Sequence, residues 1–333
     1  MNKSQGFWKK IPKPIYALAP MAGAADSAFR QICKSFGAAV VYSEMISATA
    51  VVYNSEKTLE LMRFDKTERP FVVQLFGAKP EHFAVAAKFI TKKIPARRNG
   101  GKPDGIDINF GCPVKKVARQ GAGAVLMNDL KLARKIIEAV IDNTSLPVSI
   151  KIRAKVGEMD ALKFLRGIKD LNIAAVMIHG RSLAQGHSGE VDWQIIKQAR
   201  QYFNGLILAN GGVKDKISAD ELLALSQADG LGIGQGALGR PWIFREVRSK
   251  KLEVRSREEI FKIMLAHARL VYKLKGQRGI MEMRKHLCWY AAGLPGAKKL
   301  RAELIKARNL KDIKKIIGLF FVFFNAGVLV ALL

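Results

Sequence analysis

Short apolar runs alternate with longer amphipathic stretches over the first 250 residues. The apolar runs fall at 16–19, 39–43, 71–76, 105–109, 147–152, 174–179, 206–210 and 230–233. Stretches of helical periodicity fill most of the gaps, at 27–36, 80–93, 129–142, 159–171, 191–202 and 219–227. Runs this short and this apolar suit strands covered on both faces. Their alternation with helices predicts a parallel sheet with crossover connections. Eight such units in this length predict a closed (β/α)8 TIM barrel. An open doubly wound sheet is the second reading. It calls for a glycine-rich turn after the first strand, and Pro20-Met21-Ala22-Gly23 matches that poorly.

Polar and special residues gather where these runs end. Pro20 and Met21 follow the first run, Ser43 and Glu44 end the second, and Gln74 lies late in the third. Asn109 and Cys112 follow the fourth, Lys151 and Arg153 close the fifth, and His179 and Arg181 the sixth. Asn210-Gly211-Gly212 and Gly234-Gln235-Gly236 follow the last two. One such residue reads as a turn or a helix cap. All eight together read as a site, because the carboxyl ends of the strands of a barrel share one rim.

The chemistry of that rim is partly legible. Glycines after the seventh and eighth strands let backbone N–H groups approach an anion, so Asn210-Gly211-Gly212 and Gly234-Gln235 predict a site for a phosphate-bearing cofactor. Gln74, Lys151 and His179 resemble a set that hydrogen-bonds a flat heterocycle, and a lysine there can stabilise charge on a reduced flavin. No metal-ligand set is visible. Of the histidines, His179 falls at a strand end, His187 in a loop near the mouth, and His82 on a helix surface. Cys33, Cys112 and Cys288 are far apart in the sequence, which suggests neither a zinc site nor a disulfide framework and suits a reducing cytoplasm.

Charge adds a partner class. Lys and Arg number 56 against 28 Asp and Glu, a net +28. Such a field attracts polyanions, nucleic acid above all, or an anionic membrane surface. The pattern after Lys250 is helical at 257–275 and 280–291, with 18 basic and 6 acidic residues. This divides the chain into a barrel over 1–250 and an all-α helical domain over 251–333. Candidates for phosphate contact are Arg284, Lys285, Lys298, Lys299 and Arg301, with Lys92-Lys93, Arg97-Arg98, Lys115-Lys116 and Arg119 in the barrel. Lysines before the first apolar run superficially mimic a signal peptide, which Pro12, Pro14 and Pro20 oppose.

Seven segments carry a family likeness in order. They are Ala19-Pro20-Met21-Ala22-Gly23, Ser43-Glu44-Met45, Gln74-Leu75-Phe76-Gly77, Asp107-Ile108-Asn109-Phe110-Gly111-Cys112-Pro113, Lys151-Ile152-Arg153, His179-Gly180-Arg181 and Gly239-Arg240-Pro241-Trp242. The chain resembles the bacterial tRNA-dihydrouridine synthases, most closely their B-type branch, over roughly 17–308. The resemblance implies FMN at the barrel mouth, NADPH as reductant (NADH possible) and uridine in tRNA as substrate. It implies that Pro20, Met21 and Ala22 line the flavin, that Gln74, Lys151 and His179 bond its ring, and that Asn210, Gly211, Gly212, Gly234 and Gln235 hold its phosphate. Asn109, Lys151 and Arg153 would face the uracil, Arg284 and Lys285 the tRNA, and Cys112 would donate the proton to C5 after hydride reaches C6. A cytoplasmic monomer without membrane attachment is expected.

Three features depart from the family pattern. Gly212 stands where an aspartate is usual, and Gln235 where an arginine is usual, so the phosphate site loses fixed charge that Arg240 could replace. The segment 316–333 is nearly all apolar, open to reading as a membrane anchor, a buried terminal helix or an altered reading frame. The rival enzyme is a flavin barrel acting on a free pyrimidine, as a dihydroorotate dehydrogenase does; a non-enzymatic rival is an RNA-binding protein on a retired barrel.

Overall fold

The computed structural model describes residues 5–92, 101–249 and 255–330, with side chains as far as 320. Eight parallel strands form the barrel: β1 (Ile15–Leu18), β2 (Val40–Tyr42), β3 (Phe71–Phe76), β4 (Gly105–Phe110), β5 (Val148–Arg153), β6 (Ala175–His179), β7 (Leu206–Asn210) and β8 (Gly230–Ile233). Each pairs with its neighbour in sequence, β8 pairs with β1, and β2 pairs with β3 through Val41 with Phe71 and Tyr42 with Val72. The sheet therefore closes, and the open doubly wound alternative is set aside.

Alternate residues of each strand point inward. Ala17, Tyr42, Val72, Met177 and Leu208 come from five strands and pack as one cluster. Trp8, only 2% exposed, joins that cluster from the short 3-10 helix Gly6–Lys10. Its neighbour Gly6 lies against Pro147 and Phe7 against Gly105, at strand beginnings. The amino end of the barrel is thus plugged by an indole, and the carboxyl end is left for chemistry. Gly232 makes room for Met177 across the interior, since a Cβ there would lie 2.5 Å from its sulfur.

The structure refines several expected elements. Between β2 and β3 it adds helices Ala48–Val52 and Glu56–Leu61, which the periodicity did not show. The helix expected over 159–171 is shorter, Ala161–Gly167. Residues before it form a two-stranded hairpin, Lys155–Val156 with Met159–Asp160, turning at Gly157 (φ +56°). Asp160 then caps the helix by accepting from Lys163 N–H at 2.8 Å. Helix Pro80–Lys92 fills the described part of the stretch expected over 80–93, while Lys93, Arg97 and Arg98 lie outside the described residues.

Contacts divide the chain into two compact units. The first holds the described residues to Gly236 together with Ile243–Arg248. The second holds Ala237–Trp242 and the described residues from Ser249 onward. It contains helices Arg257–Glu282, Arg284–Tyr290, Ala297–Leu304 and Leu310–Val330. The first of these breaks at Gly276 (φ 63°, ψ −152°), between the two expected helical stretches. Phe261, Met264, Leu287, Leu300, Leu304 and Ile313 form buried positions of this unit. Among the described residues no helix is long and apolar enough to cross a membrane; of the apolar stretch 316–333, residues 331–333 are not described.

Candidate active site

Strand register builds the site. Gln74 pairs with Asp107, Asp107 with Ser149, Asn109 with Lys151, Arg153 with His179, and His179 with Asn210. Parallel strands in this register place Gln74, Asp107 and Ser149 in one inward layer. Asn109 and Lys151 lie one layer nearer the carboxyl rim, and Arg153, His179 and Asn210 lie at the rim itself.

Asn109 organises the turn that carries the thiol. Its Oδ1 accepts from the backbone N–H of Gly111 at 3.0 Å and of Cys112 at 2.9 Å. Its Nδ2 donates to Gln74 Oε1 at 2.9 Å and to Met45 Sδ at 3.1 Å. An asparagine side chain offers two N–H donors and two carbonyl lone pairs, so all four are used inside the protein. Below it, Gln74 Nε2 donates to Asp107 Oδ2 at 2.7 Å, and Ser149 Oγ donates to Asp107 Oδ1 at 2.6 Å. Arg153, 2% exposed, donates through Nε to Gly111 O and through Nη1 to Ser182 O and Gly186 O. It clamps the Cys112 turn to the loop after β6.

Burial and fixed charge set the protonation states. Cys112 is 7% exposed, and burial pushes its thiol up. The Val114 backbone N–H and the cations Lys151 and Arg153 oppose that shift, so a thiolate formed there is tolerated. Burial and then Arg153 bring Lys151 down to about 8, against the opposing charges of Asp107 and Cys112. Among the described residues Lys151 Nζ makes no hydrogen bond within the protein. Burial and four surrounding basic groups bring His179 down to about 2, so its imidazole is neutral. Its Nδ1 accepts from Arg181 N–H at 3.2 Å, which leaves the proton on Nε2 as a donor. His187 stands edge-on to it, ring centres 5.9 Å apart.

The two glycine turns lie where they were expected. Gly211 (φ +110°) and Gly212 (φ +75°) adopt backbone that favours glycine. Asn210 Nδ2 ties β7 to Gly232 O at 2.6 Å. A Cβ on Gly234 would lie 3.6 Å from Met21 Sδ, so the β1 and β8 ends adjoin. Pro20 and Met21 are half-buried and Ala22 exposed, as are Gly212 and Gln235. An unbonded cation, a neutral imidazole N–H and exposed glycine backbone fit a flat ring carrying a phosphate. Arg181 stands beside the first glycine turn, its Nη1 3.6 Å from where a Cβ on Gly211 would lie, and Arg240, the charge expected to offset Gln235, is half-buried.

The remaining candidates sit elsewhere. Lys115, Lys116 and Arg119 are exposed on and beside the short helix Lys115–Ala118, directly after the Cys112 turn. In the helical unit Lys285, Lys298, Lys299 and Arg301 are exposed, while Arg284 Nε donates to Ala307 O at 2.8 Å. Among the described residues no group of His, Cys, Asp or Glu is placed to hold a metal ion. Sequence reading gave no role to Asp107 or Ser149. The available signal was a lone carboxylate between Ile106 and Ile108, which the strand period turns inward.

A closed parallel barrel with a protonated thiol, an unbonded lysine and two glycine turns on its carboxyl rim defines a TIM-barrel enzyme. Residues 17–318 match the family model described as dihydrouridine synthase, and the chain belongs to that family. It is 35% identical to tRNA-dihydrouridine synthase B of Pseudomonas syringae pv. tomato, covering 86% of this chain and 85% of that one. It is 31% identical to a probable tRNA-dihydrouridine synthase of Aquifex aeolicus, covering 90% and 93%. Among solved structures, an old yellow enzyme homologue from Zymomonas mobilis aligns with 75% of this chain and 94% of its own. That alignment has a TM-score of 0.50 at 13% identity, and it shows a shared fold.

Proposed function

We propose that this chain reduces the C5=C6 bond of uridines in tRNA, with FMN bound at the barrel mouth, NADPH (or NADH) as reductant and Cys112 as proton donor. As a dihydrouridine synthase the chain is a flavin-dependent oxidoreductase. The observation that carries the reading is a buried, protonated Cys112 thiol held by the Asn109 turn beside the cationic Lys151.

FMN held at the mouth would supply hydride chemistry toward uracil C6, with the nicotinamide as the source of its electrons. The chain's residues do the rest. Lys151 sets a cation where negative charge develops, and His179 Nε2–H donates a hydrogen bond without changing its own charge. Cys112 Sγ gives its proton to C5, breaking S–H and forming C–H, and the thiolate regains a proton from water. Met21 with Pro20 and Ala22, Lys151 and His179 would hold the ring. Asn210, Gly211, Gly212, Gly234 and Gln235 would hold the phosphate. Gln74, expected among the ring contacts, is 0% exposed and bonded to Asp107 and Asn109, so it supports the site from beneath Asn109. Arg153 and Asn109 act on uracil chiefly by fixing the turn that presents Cys112.

The exposed Lys115, Lys116 and Arg119 next to that turn favour a polyanionic substrate over a free pyrimidine. A uridine unstacked from tRNA would reach the mouth past them. Arg284 and Lys285 would contact tRNA from the helical unit. The test is anaerobic: the flavin-loaded protein is reduced with NADPH, then mixed with unmodified tRNA, free uridine or orotate. Flavin reoxidation by tRNA alone supports the proposal. Reoxidation by the free bases and not by tRNA overturns it.

A further inference from the structure

Asp107 lies fully buried, 0% exposed, on the inward face of β4. It touches neither the rim nor the solvent. Its two oxygens accept from Ser149 Oγ and from Gln74 Nε2. From there a single line of hydrogen bonds runs outward to the thiol turn, through Gln74 Oε1 to Asn109 Nδ2, and through Asn109 Oδ1 to the amides of Gly111 and Cys112.

The two amides in this line are nearly symmetric in shape, and only their partners decide which end faces which way. An ionised carboxylate accepts and cannot donate. It therefore demands Nε2 of Gln74. Gln74 must then offer Oε1 to Asn109, and Asn109 must offer Oδ1 to the turn. Were Gln74 reversed, two N–H groups would face each other at Asn109. Reversing Asn109 in turn would leave the Gly111 and Cys112 amides without an acceptor, at a cost of about 1–3 kcal/mol for each buried group.

We propose that Asp107 is a positioning residue for uridine reduction, whose carboxylate orients the Gln74 and Asn109 amides and through them the backbone that presents Cys112. This rests on the reading of Cys112 as the proton donor. Backbone bonds of Gln74 N–H to Ser43 Oγ at 2.9 Å and of Ala124 N–H to Cys112 O at 3.1 Å hold both ends of the line. Asp107 sets the direction of the inner end of the line and the Gly111 and Cys112 amides that of the outer end, so the two amide side chains between stay aligned only while the carboxylate accepts from Gln74.

The test compares two half-reactions of flavin-loaded protein: flavin reduction by NADPH, and reoxidation by unmodified tRNA. Asp107→Asn keeps the shape but can present either atom to Gln74. It should slow reoxidation by tRNA at least about tenfold while flavin reduction stays within about threefold, in the range expected when an acid is misplaced. Ser149→Ala keeps the carboxylate and its bond to Gln74, and both half-reactions should stay within about threefold. Equal slowing of both half-reactions in Asp107→Asn, no slowing of either, or slowing by Ser149→Ala as large as by Asp107→Asn would each overturn the proposal. Wild-type protein that tRNA cannot reoxidise would instead overturn the functional reading itself.

A wild-type measurement needs no variant to fold. Burial lifts Asp107 to about 6, against the hydrogen bonds of Ser149 and Gln74 and the charge of Lys151. Tyr42 from β2 and Lys151 from β5 are the titratable groups facing it, and burial raises Tyr42 well above its ordinary range. Below about pH 6 Asp107 takes up a proton and no longer dictates the direction of Gln74. Reoxidation by tRNA should fall on that acid side, and flavin reduction should lack the same limb. A reoxidation rate that is flat through this range overturns the proposal.

Discussion

Asn109 holds Cys112 by its backbone: one side-chain oxygen accepts the Cys112 amide at 2.9 Å and the Gly111 amide at 3.0 Å. The asparagine and the cysteine thus act as one unit, the first setting the angle at which the second presents its sulfur. A thiol used as an acid must meet a single carbon from one side, so the angle matters as much as the acidity.

Gly123 tests how tightly that angle is held. It sits at φ +72°, and a Cβ there would lie 3.0 Å from Val117 Cγ1 and 3.1 Å from both Cys112 Cβ and Cys112 O. Gly123→Ala should strain the backbone by roughly 1–3 kcal/mol and push the Cys112 turn aside. Reoxidation of the reduced flavin by tRNA should slow by about tenfold or more, with flavin still bound. Stopped-flow absorbance of the flavin reads both outcomes.

Lys151 predicts a pH dependence of cofactor binding. Its folded value, about 8, lies below that of a free lysine because burial disfavours the cation. The side chain is charged below that value and neutral above it. Affinity for FMN should be highest on the acid side and weaken as pH rises through about 8, by up to about tenfold per pH unit if the cation is required. Titration of flavin-free protein with FMN between about pH 7 and 9 measures this. Lys151→Met should bind more weakly and show no slope there.

Arg30 and Glu68 form a buried ion pair, with side chains 2% and 0% exposed. Arg30 also donates to Ala25 O and Arg63 O, and Glu68 also accepts from Ser27 Oγ and Asp65 N–H. The pair locks helix Ser27–Ser35, just after the β1 rim, to the turn before β3. Glu68→Gln leaves Arg30 without its charge partner, which should cost about 3–5 kcal/mol. Thermal unfolding should shift down by roughly 10 °C.

Much of this was legible in the sequence, for identifiable reasons. Strands covered on both faces must be apolar, so all eight appeared as runs, and closure followed from their count. Polar residues at their ends fell on one rim because parallel strands leave no other arrangement. The hairpin at 155–160 was hidden because its four paired residues are too few for a period. Trp8 was hidden because its partners, among them Tyr42, Met177 and Leu208, come from distant strands. The line from Asp107 to Cys112 needed register: Gln74 and Asp107 are neighbours only once β3 and β4 are aligned. The resemblance named Asn109 as facing uracil, whereas its four hydrogen-bonding positions are spent on Gln74, Met45, Gly111 and Cys112.

The central claim is that Cys112 gives the proton that completes uridine reduction. Cys112→Ala, loaded with FMN, should be reduced by NADPH at close to the wild-type rate. Its reoxidation by unmodified tRNA should be slower by about 10²-fold or more, the usual contribution of a positioned acid. Equal slowing of both half-reactions, or reoxidation by tRNA at the wild-type rate, would contradict the account.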